Sequence, residues 1–193
     1  MIKVIDDFLN PGYYNELEAF VLSGAMQWHF LPNISGSYGQ GYDEKKGNFG
    51  YFHELSTRNE VKSEYFDFFK PLLLSINNTA GGSGWLRSRL DMTTYTGEPI
   101  LHDPHLDFDD FKDANISCVF YIGDSDGDTV IYNERKENPD QLRPREFTIK
   151  ETVSPKANRL VLFTGNYWHT GHSPANHDRR VILNSNYSIE SYD

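Results

Sequence analysis

Two rhythms of hydrophobic positions divide the chain near Gly84. Before it, apolar residues recur at intervals of three and four. Tyr14, Leu17, Phe20 and Val21 make one helical face, Asn10-Pro11 supplies an N-cap with proline in the first turn, and Gly24 marks a stop. A second face (Val61, Tyr65, Phe68, Phe69, Leu72, Ile76) predicts a helix over 60–77 that Pro71 kinks or splits, closed by the Asn/Gly/Ser cluster of 77–84. Residues 1–10 read as an extended entry, and Trp28 and Phe30 suggest a strand. Five glycines among Tyr38, Tyr42 and Phe49 make 35–50 a loop, and the aromatics within 35–52 favour a lid over a plain linker. After Gly84 the period becomes two. Strands are predicted at 85–95, 117–122, 129–133, 146–153, 159–163 and 180–189, with a hairpin turn at 123–128 and a long loop at 134–145. Short strands rich in β-branched and aromatic residues, separated by turn signals, argue a sandwich or barrel. The expected architecture is mostly β with flanking α: one domain over 1–193, with two N-terminal helices packed on one side of a β-rich body.

Composition narrows the classes. The chain has 193 residues, and its 15% aromatic content supports a packed core. Cys118 is alone, which excludes a disulfide scaffold. No apolar run reaches the roughly 20 residues of a membrane helix. The first seven residues lack a secretory h-region, so a cytoplasmic location is expected. A net charge of −10 makes nucleic acid an unlikely partner.

Chemistry concentrates in the histidines. In His105-Leu106-Asp107 the imidazole and carboxylate are two apart, so an extended chain turns both to one face. They can share a metal ion if a third ligand arrives from elsewhere. Two histidines and a carboxylate on one face leave other coordination positions open, as in non-haem Fe(II) oxygenases. The strand 159–163 runs into Thr164-Gly165-Asn166-Tyr167-Trp168-His169, and Arg179-Arg180 open the last strand. His102 reads as a loop residue, and His29, His53 and His177 as structural or surface residues. The acidic run 123–128 lacks the glycine and spacing of a calcium loop.

These segments resemble the 2-oxoglutarate and Fe(II)-dependent oxygenases, in particular their prolyl-hydroxylase-like branch, over about residues 85–190. The resemblance implies a double-stranded β-helix (jelly-roll) core over 85–190, behind a helical and lid segment over 1–84. It implies Fe(II) on His105, Asp107 and His169, with His169 preferred to His172 by its spacing from Phe163 and from the arginines. It implies 2-oxoglutarate with its far carboxylate on Arg179 or Arg180, and Tyr95 and Tyr121 as hydroxyls near it. Alternation favours Arg180: if it faces inward, so do Ile182, Asn184 and Asn186, a polar set suited to a cofactor pocket. Val181, Leu183 and Tyr187 then face the helices. The implied reaction is hydroxylation of a peptidyl residue or small molecule by O₂, with 2-oxoglutarate decarboxylated to succinate. Retention of Asp107 favours hydroxylation over halogenation. The competing readings are a cupin-like metal binder, a catalytically silent relative, and a structural jelly roll with incidental histidines.

Overall fold

The computed structural model describes residues 1–35, 47–58, 60–108 and 114–191. In chain order the elements are β1 (Ile2–Ile5), α1 (Pro11–Leu22), β2 (His29–Leu31), β3 (Gly50–Thr57), β4 (Glu60–Val61), α2 (Phe66–Ala80), β5 (Gly84–Thr94), β6 (Asn115–Tyr121), β7 (Thr129–Arg135), β8 (Ile149–Val153), β9 (Arg159–Thr164), β10 (Tyr167–Gly171) and β11 (Arg179–Ser188). The chain is mostly β, built from antiparallel sheets in a jelly roll. The larger sheet runs β1-β9-β6-β11-β5-β3-β2, with β4 paired to β3. The smaller runs β10-β7-β8, and single bridges from Leu101 to His172 and from His105 to His169 extend its β10 edge.

Alternation along the strands builds two cores. Cys118, Phe120, Leu160, Leu162, Val181, Leu183 and Tyr187 share one face of the large sheet. They pack against Tyr14, Leu17 and Val21 of α1 and Phe69, Leu72, Leu73 and Ile76 of α2. Val119, Tyr121, Val161, Phe163 and Ile182 face the other way, onto Ile131, Val153 and Tyr167 of the smaller sheet and its loops. The site lies in this inter-sheet layer.

The helix signals were local. Asn10 Oδ1 accepts the Tyr13 amide at 3.1 Å, and Pro11 occupies the first turn of α1. Several expectations need correction. The second helix begins at Phe66 rather than 60, because Glu60–Val61 pairs with β3. Pro71 does not split it. One backbone bond is lost, while Phe69, Leu72, Leu73 and Ile76 anchor both halves in the core, and Gly81, left-handed at φ 69°, ends it. Three strands, β2 to β4, separate the two helices. The turn at 123–128 is not a hairpin: β6 pairs with β9 and β11, whereas β7 pairs with β8 and β10, so this segment crosses between sheets. Asp126 pins that crossing by accepting the Ala175 and Asn176 amides at 3.0 and 2.8 Å. Of the 35–52 segment, 50–52 is strand, and 36–46, where the lid was expected, lies outside the described residues. Among the described residues no helix is long and apolar enough to cross a membrane.

Candidate active site

Register orders the inner face of the large sheet into transverse rows. On β11, Asn186 stands opposite Ser117 and Arg87. Asn184 stands opposite Val119 and Arg89, Ile182 opposite Tyr121 and Asp91, and Arg180 opposite Thr93. Residues directly across an antiparallel pair share a face, so these rows form the floor of the inter-sheet space.

Asp107 descends onto this floor. Its Oδ1 accepts from Arg87 at 2.8 Å and Asn184 at 2.9 Å; its Oδ2 accepts from Ser117 at 2.7 Å and Asn186 at 2.9 Å. Its side chain is 3% exposed. His105 and His169 face each other across the edge of the smaller sheet, each amide donating to the other's carbonyl at 2.9 and 3.0 Å. The Nδ1 atoms lie 3.1 Å from the carbonyl oxygens of Asp103 and Tyr167 respectively. A carbonyl only accepts, so each Nδ1 holds the proton and each Nε2 keeps a free lone pair. Phe163 backs the His169 ring edge-on at 4.8 Å. One ligand atom from each of His105, Asp107 and His169 lies within 4.8 Å of the other two. Such a set can hold a divalent metal and leave positions open for other ligands.

Arg180 lines the same pocket as His105 and His169. It is buried, its Nη2 donates to Thr129 Oγ1 at 2.8 Å, and its guanidinium carbon sits 5.5 Å from the Tyr121 ring centre. The Tyr121 hydroxyl lies 2.6 Å from Thr129 Oγ1 and 3.2 Å from the Val153 carbonyl. Arg180 Nε is buried and has no hydrogen-bond partner among the described residues.

The family model of the 2OG-Fe(II) oxygenase superfamily matches residues 91–188, from the middle of β5 through β11. The chain belongs to this superfamily. No curated protein matches its sequence. Solved structures are similar in fold. The non-haem alpha-ketoglutarate-dependent epimerase SnoN from nogalamycin biosynthesis gives a TM-score of 0.65 at 14% identity, covering 97% of this chain and 78% of SnoN. A Trichoplax adhaerens prolyl hydroxylase in complex with a hypoxia-inducible-factor peptide fragment gives 0.63 at 13%, covering 97% and 83%. A Pseudomonas putida prolyl-4-hydroxylase gives 0.56 at 17%, covering 97% and 92%. SnoN has also been solved with Fe3+ and alpha-ketoglutarate. This oxygenase is a 2-oxoglutarate-dependent dioxygenase whose cofactors are Fe(II) and 2-oxoglutarate, with O₂ as co-substrate. Its residues fit both: two imidazoles with Nε2 free and an ionised carboxylate suit the metal, and a buried guanidinium with an unpartnered Nε suits a carboxylate.

The fold of this oxygenase brings His105, Asp107, His169, Arg180 and Tyr121 together. It does not bring Tyr95, which is 50% exposed with its hydroxyl donating to the Gly97 carbonyl. β5 ends at Thr94, and the chain turns away through Gly97 at φ +98°. Asn184 and Asn186, expected to contact the cofactor, donate their amides to Asp107, and Asn184 also lines the pocket. Arg179 lies on the outer face and donates to the Leu22 carbonyl at the end of α1. His172 lies outside the pocket. His102 is not a plain loop residue: it is buried, Nδ1 2.6 Å from Asn48 Oδ1 and Nε2 3.1 Å from Ser173 Oγ, and it lines the pocket. Arg87, Arg89 and Asp91 were missed. The signal that finds them is alternation on β5, carried across the register from Arg180.

Desolvation, then the neighbouring His169, pushes the His105 imidazole down to about 3. Burial alone would raise Asp107, but His169, Arg87, His105 and the Ser117 hydroxyl hold it well below the usual carboxylate range. Between about 3 and the unfolded value near 6.5, the unfolded chain binds a proton at His105 that the folded chain does not. Stability therefore falls as pH drops through that window. From pH 7 to pH 5 the metal-free oxygenase loses about 2 kcal/mol from His105, and His53, lowered by burial, adds in the same direction. Urea midpoints in chelator check this, and His105→Asn removes most of the His105 share.

Proposed function

We propose that this oxygenase hydroxylates a small molecule or a peptidyl residue, with Fe(II) on His105, Asp107 and His169 and the far carboxylate of 2-oxoglutarate on Arg180. The observation that carries the reading is the pairing of a three-ligand cluster, whose two histidines line the pocket with their tautomers preset, with a buried guanidinium that lines the same pocket and lacks a full set of partners. Bound iron and 2-oxoglutarate supply the oxidising chemistry, in which 2-oxoglutarate goes to succinate and CO₂ and one oxygen atom goes to substrate. The protein's own part is positional. Asn184, Asn186, Ser117 and Arg87 fix the Asp107 carboxylate, and the Asp103 and Tyr167 carbonyls fix the two imidazoles. Tyr121 and Thr129 hold Arg180 where a carboxylate can meet it in fork geometry. Val119, Ile182 and Phe163 keep the layer beneath the site dry. A cupin-like binder without turnover leaves the Arg180 arrangement unaccounted for.

The test is anaerobic addition of Fe(II) and 2-oxoglutarate to metal-free protein. A visible charge-transfer band is expected in wild type and absent in His105→Ala. Iron binding without the band in wild type sinks the reading.

A further inference from the structure

We propose that Arg89 and Asp91 form the substrate-recognition pair and that the substrate is a small zwitterion of the free α-amino acid class, with an ammonium for Asp91 and a carboxylate for Arg89. This inference rests on the function proposed above and chooses within it.

Position comes first. Arg89 and Asp91 are two apart on β5 and line the pocket together. Asp91 stands opposite Ile182, and Arg89 opposite Asn184, whose amide bonds Asp107. The pair is thus beside the ligand cluster, with Thr93 between it and the Arg180 end of the pocket.

The second argument is satisfaction. Asp107 has four donors, Arg87 pairs with Asp107, and Arg180 has Thr129. Arg89 Nε and Asp91 Oδ1 form an ion pair with each other at 2.8 Å, and no other hydrogen bond reaches either side chain among the described residues. Along the same wall, Asn184 Oδ1 and Thr93 Oγ1 are buried with no hydrogen-bond partner among the described residues. Native structures keep few such atoms, because leaving one unmet forfeits its hydration with nothing in return. These two atoms, beside an ion pair whose other polar atoms carry no hydrogen bond among the described residues, describe the imprint of a polar ligand.

The sign of the charges selects that ligand. An anion alone would face Asp91, a cation alone would face Arg89, and an apolar group would leave both desolvated. A molecule with both charges close together satisfies each, its dipole antiparallel to that of the pair. The Phe52 ring, 5.7 Å from the Arg89 guanidinium carbon, backs the cation from β3. Burial pushes the Asp91 carboxyl up, a penalty that a ligand ammonium reverses. An internal peptidyl residue has lost both charges to its peptide bonds and offers the pair nothing.

The experiment titrates the anaerobic enzyme, loaded with Fe(II) and 2-oxoglutarate, with the standard free L-amino acids, each beside its N-acetyl and C-amide derivatives. The readouts are the shift of the visible band and the melting temperature. One free amino acid, or a small related group, is expected to shift the band and raise the melting temperature. Both blocked forms should bind at least about tenfold more weakly. Asp91→Asn should lose the preference for a free amine, and Arg89→Gln the preference for a free carboxylate. Equal binding of blocked forms, or no binding of any free amino acid, overturns the proposal. So does a weakening of 2-oxoglutarate itself in the two variants, since the pair would then belong to the co-substrate. If a variant fails to fold, the blocked derivatives on wild type decide alone. Absence of the band before any amino acid is added is a failure of the underlying reading, and is seen separately.

Discussion

Asp107→Ala should abolish iron binding and also destabilise the metal-free protein, by about 3–5 kcal/mol. The first effect follows from removing the sole carboxylate of the ligand cluster. The second follows from what surrounds it. Four donors converge on Asp107, and one of them is the Arg87 guanidinium, whose side chain is only 19% exposed. Without the carboxylate that charge stays desolvated without its ion-pair partner, and the Asn184 and Asn186 amides lose their acceptor. Urea unfolding in the presence of chelator measures the loss. Combining Asp107→Ala with Arg87→Met should recover part of it, because the stranded charge is then gone. A single-variant loss below about 1 kcal/mol would show that the carboxylate is not the electrostatic centre of this floor.

Arg180→Met should behave in the opposite way. The guanidinium is buried, bonded to Thr129 through Nη2, stacked on Tyr121, and unpartnered at Nε. In the absence of a carboxylate it contributes little to folding, so the stability of the metal-free protein should move by less than about 1 kcal/mol. Binding of 2-oxoglutarate should weaken by about ten- to 150-fold, the worth of a charge-assisted hydrogen-bonded pair of 1.5–3 kcal/mol. Iron affinity should not change, since Arg180 touches none of the three ligands. Titration of the visible band with 2-oxoglutarate at fixed Fe(II) separates these effects. A parallel loss of iron binding would mean that Arg180 acts by holding the pocket together.

Sequence carried much of this, unevenly. Cap chemistry is written in adjacent residues, so Asn10-Pro11 located α1. Residue type and turn signals located six of the seven strands after Gly84, and β10, read only as the approach to His169, was missed. Pairing is a non-local choice, and the turn residues of 123–128 said nothing about which sheet would receive β7. β3 was hidden behind the glycines that precede it. Val61 lay on the helical spacing by coincidence, since its backbone pairs with Ser56. Within the site, His105, Asp107, His169 and Arg180 stood out because metal and carboxylate chemistry needs those residue types. Arg87, Arg89 and Asp91 did not, because a strand with a charged face is ordinarily read as charged toward water. On β5 that face turns inward, and Leu86, Ser88 and Leu90 are buried on the opposite side. Such an inversion becomes visible only when the register is known.

The reciprocal amide bonds between His105 and His169 bear on how quickly the enzyme can be loaded. The two residues are 64 positions apart in sequence, yet each holds the other through the backbone, and each ring is steered by a carbonyl two residues before it. The backbone that carries the two imidazoles cannot shift without breaking this reciprocal pair, and each ring turns only by giving up its Nδ1 contact to a carbonyl. Metal arriving from solvent meets donors already assembled. Capture is then expected to need little rearrangement of the backbone.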